Sequence, residues 1–209
     1  MIVKSNRKKT ILFIIFIPLC ISLSFTGKVY SNSAETTFSS QKEEATKFIK
    51  VVVDKSLAIV NNNEMSDDQK RQKLSEYVNR FLDIERIAHA VFARLGYKTL
   101  SLADQDKVKA YLKKYLIRFY AGAGKLSAMM NSKLRGTPVA EPKGSDFAVI
   151  TQFMKNSAPS IEIIWVTNRQ KIYYVEIEGI NQLITLRSEM QAAVGSGALM
   201  DYINKHLDK

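Results

Sequence analysis

The sequence predicts an α+β fold, with several N-terminal helices packed on a small, curved antiparallel sheet and short helices at the C-terminus. Three observations predict it. Apolar residues recur at helical three-and-four spacing from about Ser40 to Phe119. The period then becomes that of strands, with runs rich in Ile, Val, Tyr, Phe and Trp between turn residues. From Gln182 the helical spacing returns, so helices, sheet and helices follow one another in blocks.

The first amphipathic helix reads from about Ser40 to Val60, after a polar stretch rich in Ser and Thr, with Ala45, Phe48, Ile49, Val52 and Val60 near helical spacing. Asn61 to Glu64 interrupts it. Ser66 with Gln69 is a capping-box signal for a second helix carrying Leu74, Tyr77, Val78, Phe81 and Leu82. Asp83 caps a third, whose set Ile84, Ile87, Ala88, Val91, Phe92 and Leu95 is the most regular stripe in the chain, and Gly96 ends it. Ser101 with Asp104 opens a longer fourth helix, with Val108, Tyr111, Leu112, Tyr115, Leu116 and Phe119 on one side and Gly122 and Gly124 loosening its end.

Gly136, Pro138, Pro142 and Gly144 then punctuate a stretch with room for one short edge strand, Thr137 to Glu141, because Pro is tolerated only at edges and bulges. Strands follow at Phe147 to Met154, Ile161 to Thr167 and Ile172 to Ile177, with turns at Asn156 to Ser160 and Asn168 to Gln170. Helical pieces at Gln182 to Val194 and Leu199 to Leu207 flank Gly195 and Gly197. A sheet wet on one face should alternate apolar and polar residues. Here Ile161, Ile163 and Trp165 share a face while Ile164 and Val166 on the other are also apolar, and Tyr173, Val175 and Ile177 stand beside Ile172 and Tyr174. Two readings remain open: a terminal helix covers the second face, or a large apolar pocket lies between sheet and helices.

The N-terminus carries an address. Lys4, Arg7, Lys8 and Lys9 precede an apolar run from Ile11 to Phe25, the charged and apolar regions of a signal peptide. The run is shorter than the roughly 20 residues of a membrane span. Cleavage is expected after Ser31 or Ala34, which makes residues 1–31 the signal and 32–209 a single domain; an uncleaved anchor is the competing reading. Pro18 and Leu19 before Cys20 do not suit a lipidation site. Removing the signal takes away five basic residues and no acidic one, so the net charge falls from +11 to +6. That charge suits an anionic membrane surface and gives little ground for nucleic acid, which is bound by strong clustered patches. The remaining domain has no cysteine, which excludes thiolate metal sites.

Catalytic signals are sparse. His89 and His206 are the only imidazoles, Gly195-Ser196-Gly197 lacks the flanks of a nucleophile elbow, and no phosphate-cradling glycine loop occurs. Glu176 and Glu178 share a strand face, and Lys107, Lys109, Lys113, Lys114 and Arg118 load the polar side of the fourth helix. Paired strand carboxylates and a basic helix face are each most often solvated. No cofactor or metal is expected.

The order of motifs resembles a known family. Trp165, Tyr173 to Ile177, Glu178-Gly179-Ile180-Asn181 and Arg187-Ser188-Glu189-Met190, with Gly195 and Leu199 behind, are similar to the periplasmic phospholipid-binding component of the Mla lipid-transport pathway, the toluene-tolerance family. Asp83-Ile84 with Ile87-Ala88, Gln105, and Tyr120-Ala121 match it in the N-terminal half. The chain departs from it at Asn181, Met190, Tyr174, Gly197 and Phe92-Ala93, and hopanoid-associated relatives share the same skeleton.

The resemblance implies a periplasmic carrier, not an enzyme, that moves phospholipid between an outer-membrane lipoprotein complex and an inner-membrane ABC transporter with its ring-forming substrate-binding subunit. It implies an apolar cavity, for which Val91, Phe92, Tyr115, Phe119, Phe153, Ile163, Trp165, Tyr173 and Val175 are the candidate lining. Two competing readings are an enzyme with Glu176 or His89 as general base in the same pocket and an adaptor with no cavity.

Overall fold

A computed structural model describes residues 32–121, 131–155, 160–168 and 170–207. The expected signal segment, residues 1–31, lies outside the described residues, as do Gly122, Gly124 and most of the Asn156–Ser160 turn.

Among the described residues, six helices and a five-stranded antiparallel sheet form an α+β fold. The helices are α1 (Asn32–Val60), α2 (Asp67–Phe81), α3 (Ile84–Phe92), α4 (Leu102–Ala121), α5 (Gln182–Val194) and α6 (Leu199–His206). The strands β1 (Ser132–Lys143), β2 (Asp146–Lys155), β3 (Ile161–Asn168), β4 (Lys171–Ile177) and β5 (Ile180–Asn181) pair in chain order. Local chemistry sets the boundaries. Ser66 accepts from the Gln69 amide and the Gln69 side chain accepts from the Ser66 amide, the reciprocal box that starts α2. Asp83 accepts from the Arg86 amide at the start of α3, and Ser101 from the Asp104 amide at the start of α4. After α3 the chain tightens into two short 3₁₀ turns joined at Gly96, whose φ of 83° favours glycine.

Two elements extend beyond expectation. The stretch before Ser40 is helical from Asn32 despite lacking an apolar stripe, and Phe38 anchors it with its ring 5.5 Å from that of Phe147. β1 is a 12-residue edge strand instead of a short one. Its pairing with β2 breaks between Arg135 and Val139, the segment holding Gly136 and Pro138, so the proline without an N–H sits in a bulge and pairing resumes beyond it.

The interior has two cores. One joins α3, α4, α5 and α6 around Val91, Phe92, Tyr97, Val108, Leu112 and Ile203, all fully buried. The other joins α1 and one face of the sheet through Ile49, Val53, Phe81, Val149, Phe153 and Ile172. α6 packs against α4, where Tyr111 and Tyr202 meet edge to face. The other sheet face carries half-buried Ile150, Ile164 and Tyr174 and an exposed Val139.

Candidate functional site

Between the two cores lies a cavity. Its volume is about 240 Å³. Its walls come from α1 (Val52, Val53, Ser56, Leu57, Val60), α2 (Leu74, Tyr77, Val78, Phe81) with Leu82 after it, α3 (Ile87), α4 (Leu116, Ile117), the sheet and α5 (Gln182, Leu183, Leu186). These side chains are almost all hydrocarbon. Such a space can hold apolar matter and offers little to a polar substrate.

The strands present this wall by register. Phe153 of β2, Ile163 and Trp165 of β3, and Val175 and Ile177 of β4 fall on one face, since Ile163 pairs with Ile177 and Trp165 with Val175. A bulge alters the alternation at the start of β4: Val166 pairs with Tyr174 but Thr167 pairs with Ile172, leaving Tyr173 as the extra residue. Ile172, expected opposite Val175, therefore joins the same core, and Ile172 and Tyr173 both line the cavity. The one indole polar atom in the wall is satisfied: Trp165 Nε1 donates to Thr151 Oγ1 at 2.8 Å, and the Thr151 hydroxyl donates in turn to the Ile163 carbonyl at 3.0 Å. The Trp165 ring is thus held in one orientation against the cavity.

At one end of the cavity sits a buried carboxylate. Asp146 accepts from Tyr173 Oη at 2.7 Å, from Arg86 Nη2 at 2.9 Å and from Asn168 Nδ2. The Arg86 guanidinium also lies 3.4 Å from the centre of the Tyr173 ring. Burial pushes the Asp146 carboxyl up, but the hydrogen bonds from Tyr173, Asn168 and Arg86 outweigh it and hold the group below its ordinary value. Burial first, and then the bond to Asp146, push the Tyr173 phenol up to about 12. The network ties α3 to β2, β3 and β4, and fixes Tyr173 as a wall.

Of the candidate lining residues, the structure brings Phe153, Ile163, Trp165, Tyr173 and Val175 together around the cavity. Val91 and Phe92 stand elsewhere: both are fully buried in the helical core, because α3 is sandwiched between α4 and α5. Tyr115 packs at the edge of that core and donates to Glu189 at 2.6 Å. Phe119 falls within α4, and its side chain lies outside the described residues. The walls from α1 and α2 were not among the candidates, although Val53, Leu57 and Val60 repeat at helical spacing. The proposed general bases are both away from the cavity wall. Glu176 accepts from Tyr174 Oη at 2.6 Å on the other sheet face, and His89 is paired with Glu85 at 3.1 Å and stacked edge-on to Tyr97. Among the described residues no cluster of His, Cys, Asp or Glu is able to hold a metal ion, and no helix is long and apolar enough to cross a membrane.

A family model described as MlaC protein matches residues 50–209. The solved structure of the phospholipid-binding protein from Ralstonia solanacearum, in complex with a phospholipid, is similar in fold, with a TM-score of 0.61 and 19% identity over 78% of this chain and 97% of that one. No curated protein matches the chain.

Proposed function

The chain belongs to the MlaC family, and from that premise we propose that it carries a phospholipid, with the acyl chains held in the cavity between sheet and helices and the head group toward solvent. The observation that carries this reading is the wall itself, built almost wholly from aliphatic and aromatic side chains of the helices and the inner sheet face. The phospholipid complex of the Ralstonia solanacearum protein, which has this fold, supports the same choice of ligand.

Physical chemistry gives the carrier its purpose. Exposing acyl chain to water costs about 0.8 kcal/mol per methylene, so a chain of about 15 methylenes faces roughly 12 kcal/mol if it crosses an aqueous gap bare. A protein that takes the chain into an apolar cavity removes most of that barrier. The work belongs in the periplasm: the chain is exported on its signal peptide, receives lipid from an outer-membrane lipoprotein complex or gives lipid to it, and exchanges with the inner-membrane ABC transporter through its ring-forming subunit. Phe153, Ile163, Trp165, Tyr173 and Val175 are its sheet-side lipid contacts, and Val53, Leu57 and Tyr77 those on the helices. The chemistry of such a carrier is binding and release, with no covalent step.

Organic extraction of the purified protein followed by mass spectrometry is expected to yield intact diacyl phospholipid at near-stoichiometric amount. Trp165→Gln, which places an amide where the indole lines the cavity, should lower that occupancy several-fold while circular dichroism still shows a folded domain. Absence of lipid from the native protein sinks the reading, and conversion of added lipid to new products would favour an enzyme.

A further inference from the structure

The cavity-facing side of the sheet continues past the helices into an exposed apolar lip. Ile161 pairs with Phe153, which lines the cavity, and Ile180 pairs with Ile177, which also lines it. Paired residues share a sheet face, so Ile161 and Ile180 lie on the same surface as Ile163 and Trp165. Yet Ile161 is 45% exposed and Ile180 60%. On the first turn of α5, which follows β5 directly, Ile184 is 55% exposed. Ile161 and Ile180, continuous by register with the cavity wall, and Ile184 on the helix turn that follows thus expose apolar surface that costs free energy unless hydrocarbon passes over it.

The opposite end is closed. There Asp83 donates its amide to the Ile172 carbonyl at 2.8 Å, Leu82 bridges to Ile172, and the Asp146 network fastens Tyr173. From Ile172 at the closed end to Ile177 at the lip, β4 rises about 17 Å. An acyl chain in one leaflet spans about 15 Å, half of a hydrocarbon core about 30 Å thick. A chain whose tip rests at Ile172 therefore ends its apolar length at the lip.

On the reading that the cavity holds phospholipid, we propose that Ile161, Ile180 and Ile184 form the portal through which acyl chains enter and leave it, with the glycerol end of a bound lipid seated there. The test is fluorescent phospholipid transfer between vesicles of phosphatidylglycerol and phosphatidylethanolamine, catalysed by the full protein as the cell produces it. Ile180→Asp with Ile184→Asp places charge on the path of the chains, and the transfer rate should fall by about tenfold or more with thermal stability unchanged, because both side chains are exposed in the native state. Val139→Asp is the matched control: Val139 is 54% exposed on the other sheet face, where it pairs with Ile150, and its variant should transfer at the native rate. If the double aspartate unfolds the protein, Ile180→Ser with Ile184→Ser reads the same path without charge and should slow transfer by a smaller factor. Native rates in the lip variants, or equal slowing by Val139→Asp, overturn the portal while leaving the bound lipid of the native protein in place. A native protein that takes up no lipid removes the carrier reading and the portal with it.

Discussion

Asp146 shows how one side chain shapes the cavity from behind. It is buried and accepts from Tyr173, Asn168, Arg86 and, at 3.4 Å, Ser145, and only Arg86 among these carries charge. Removing the charge while keeping the shape, as in Asp146→Asn, weakens these bonds and leaves the guanidinium without its counter-ion. Arg86 is partly exposed, so water screens part of the loss and about 2 kcal/mol is expected at neutral pH. The sign with pH follows from the shift. The folded-state value is depressed, so the stability Asp146 contributes is complete above its unfolded value near 3.9 and is lost as pH falls through the lower folded value. Urea unfolding from pH 7 downward should therefore show native protein and Asp146→Asn separated at neutral pH and converging below about pH 4. Curves that stay parallel to acid pH would show that the carboxylate does not act through its charge. Tyr173 behaves oppositely: its phenol is raised, so its contribution persists through neutral pH and is lost only as pH rises through about 12.

At the scale of elements, the motif around α5 gains a physical explanation. Arg187 donates from Nε to the Ala90 carbonyl at 2.8 Å, satisfying one of the last carbonyls of α3, while Glu189 accepts from Tyr115 and Met190 is buried in the helical core. The Arg-x-Glu-Met run therefore joins three helices. Arg187→Met should cost about 1.5 kcal/mol and lower Tm by about 4 °C, and an unchanged melting curve would remove that bond from the account. Helix starts were legible because their caps are local: Ser66, Asp83 and Ser101 each act on an amide three residues away. The cavity was legible only in part. A perfect stripe such as that of α3 marks a helix packed tightly on several sides, so Val91 and Phe92 fill a core and the cavity wall falls to the less regular stripes of α1 and α2. The bulge at Tyr173 was also beyond the pattern, since nothing in Ile172-Tyr173-Tyr174 marks the residue at which alternation breaks. Where alternation held, as at Ile163, Trp165 and Val175, the strand period was enough to find the wall.

For the whole molecule, the arrangement that matters is two cores with an apolar space between them. A chain that filled this space with its own side chains would be a more stable domain and could carry nothing. The cavity is kept open without a disulfide, since residues 32–209 contain no cysteine. Residues 1–31 hold five basic and no acidic residues, so on the proposed export with cleavage the domain would stand at +6, a charge that suits an anionic membrane surface. Export and cargo are tested together by native mass spectrometry of the protein purified from its producing cell. The expected spectrum holds a mass for a chain beginning near residue 32 or 35, with one further peak heavier by an intact diacyl phospholipid. A chain that begins at Met1, or one that flies bare under conditions gentle enough to keep a known lipid complex intact, would contradict it.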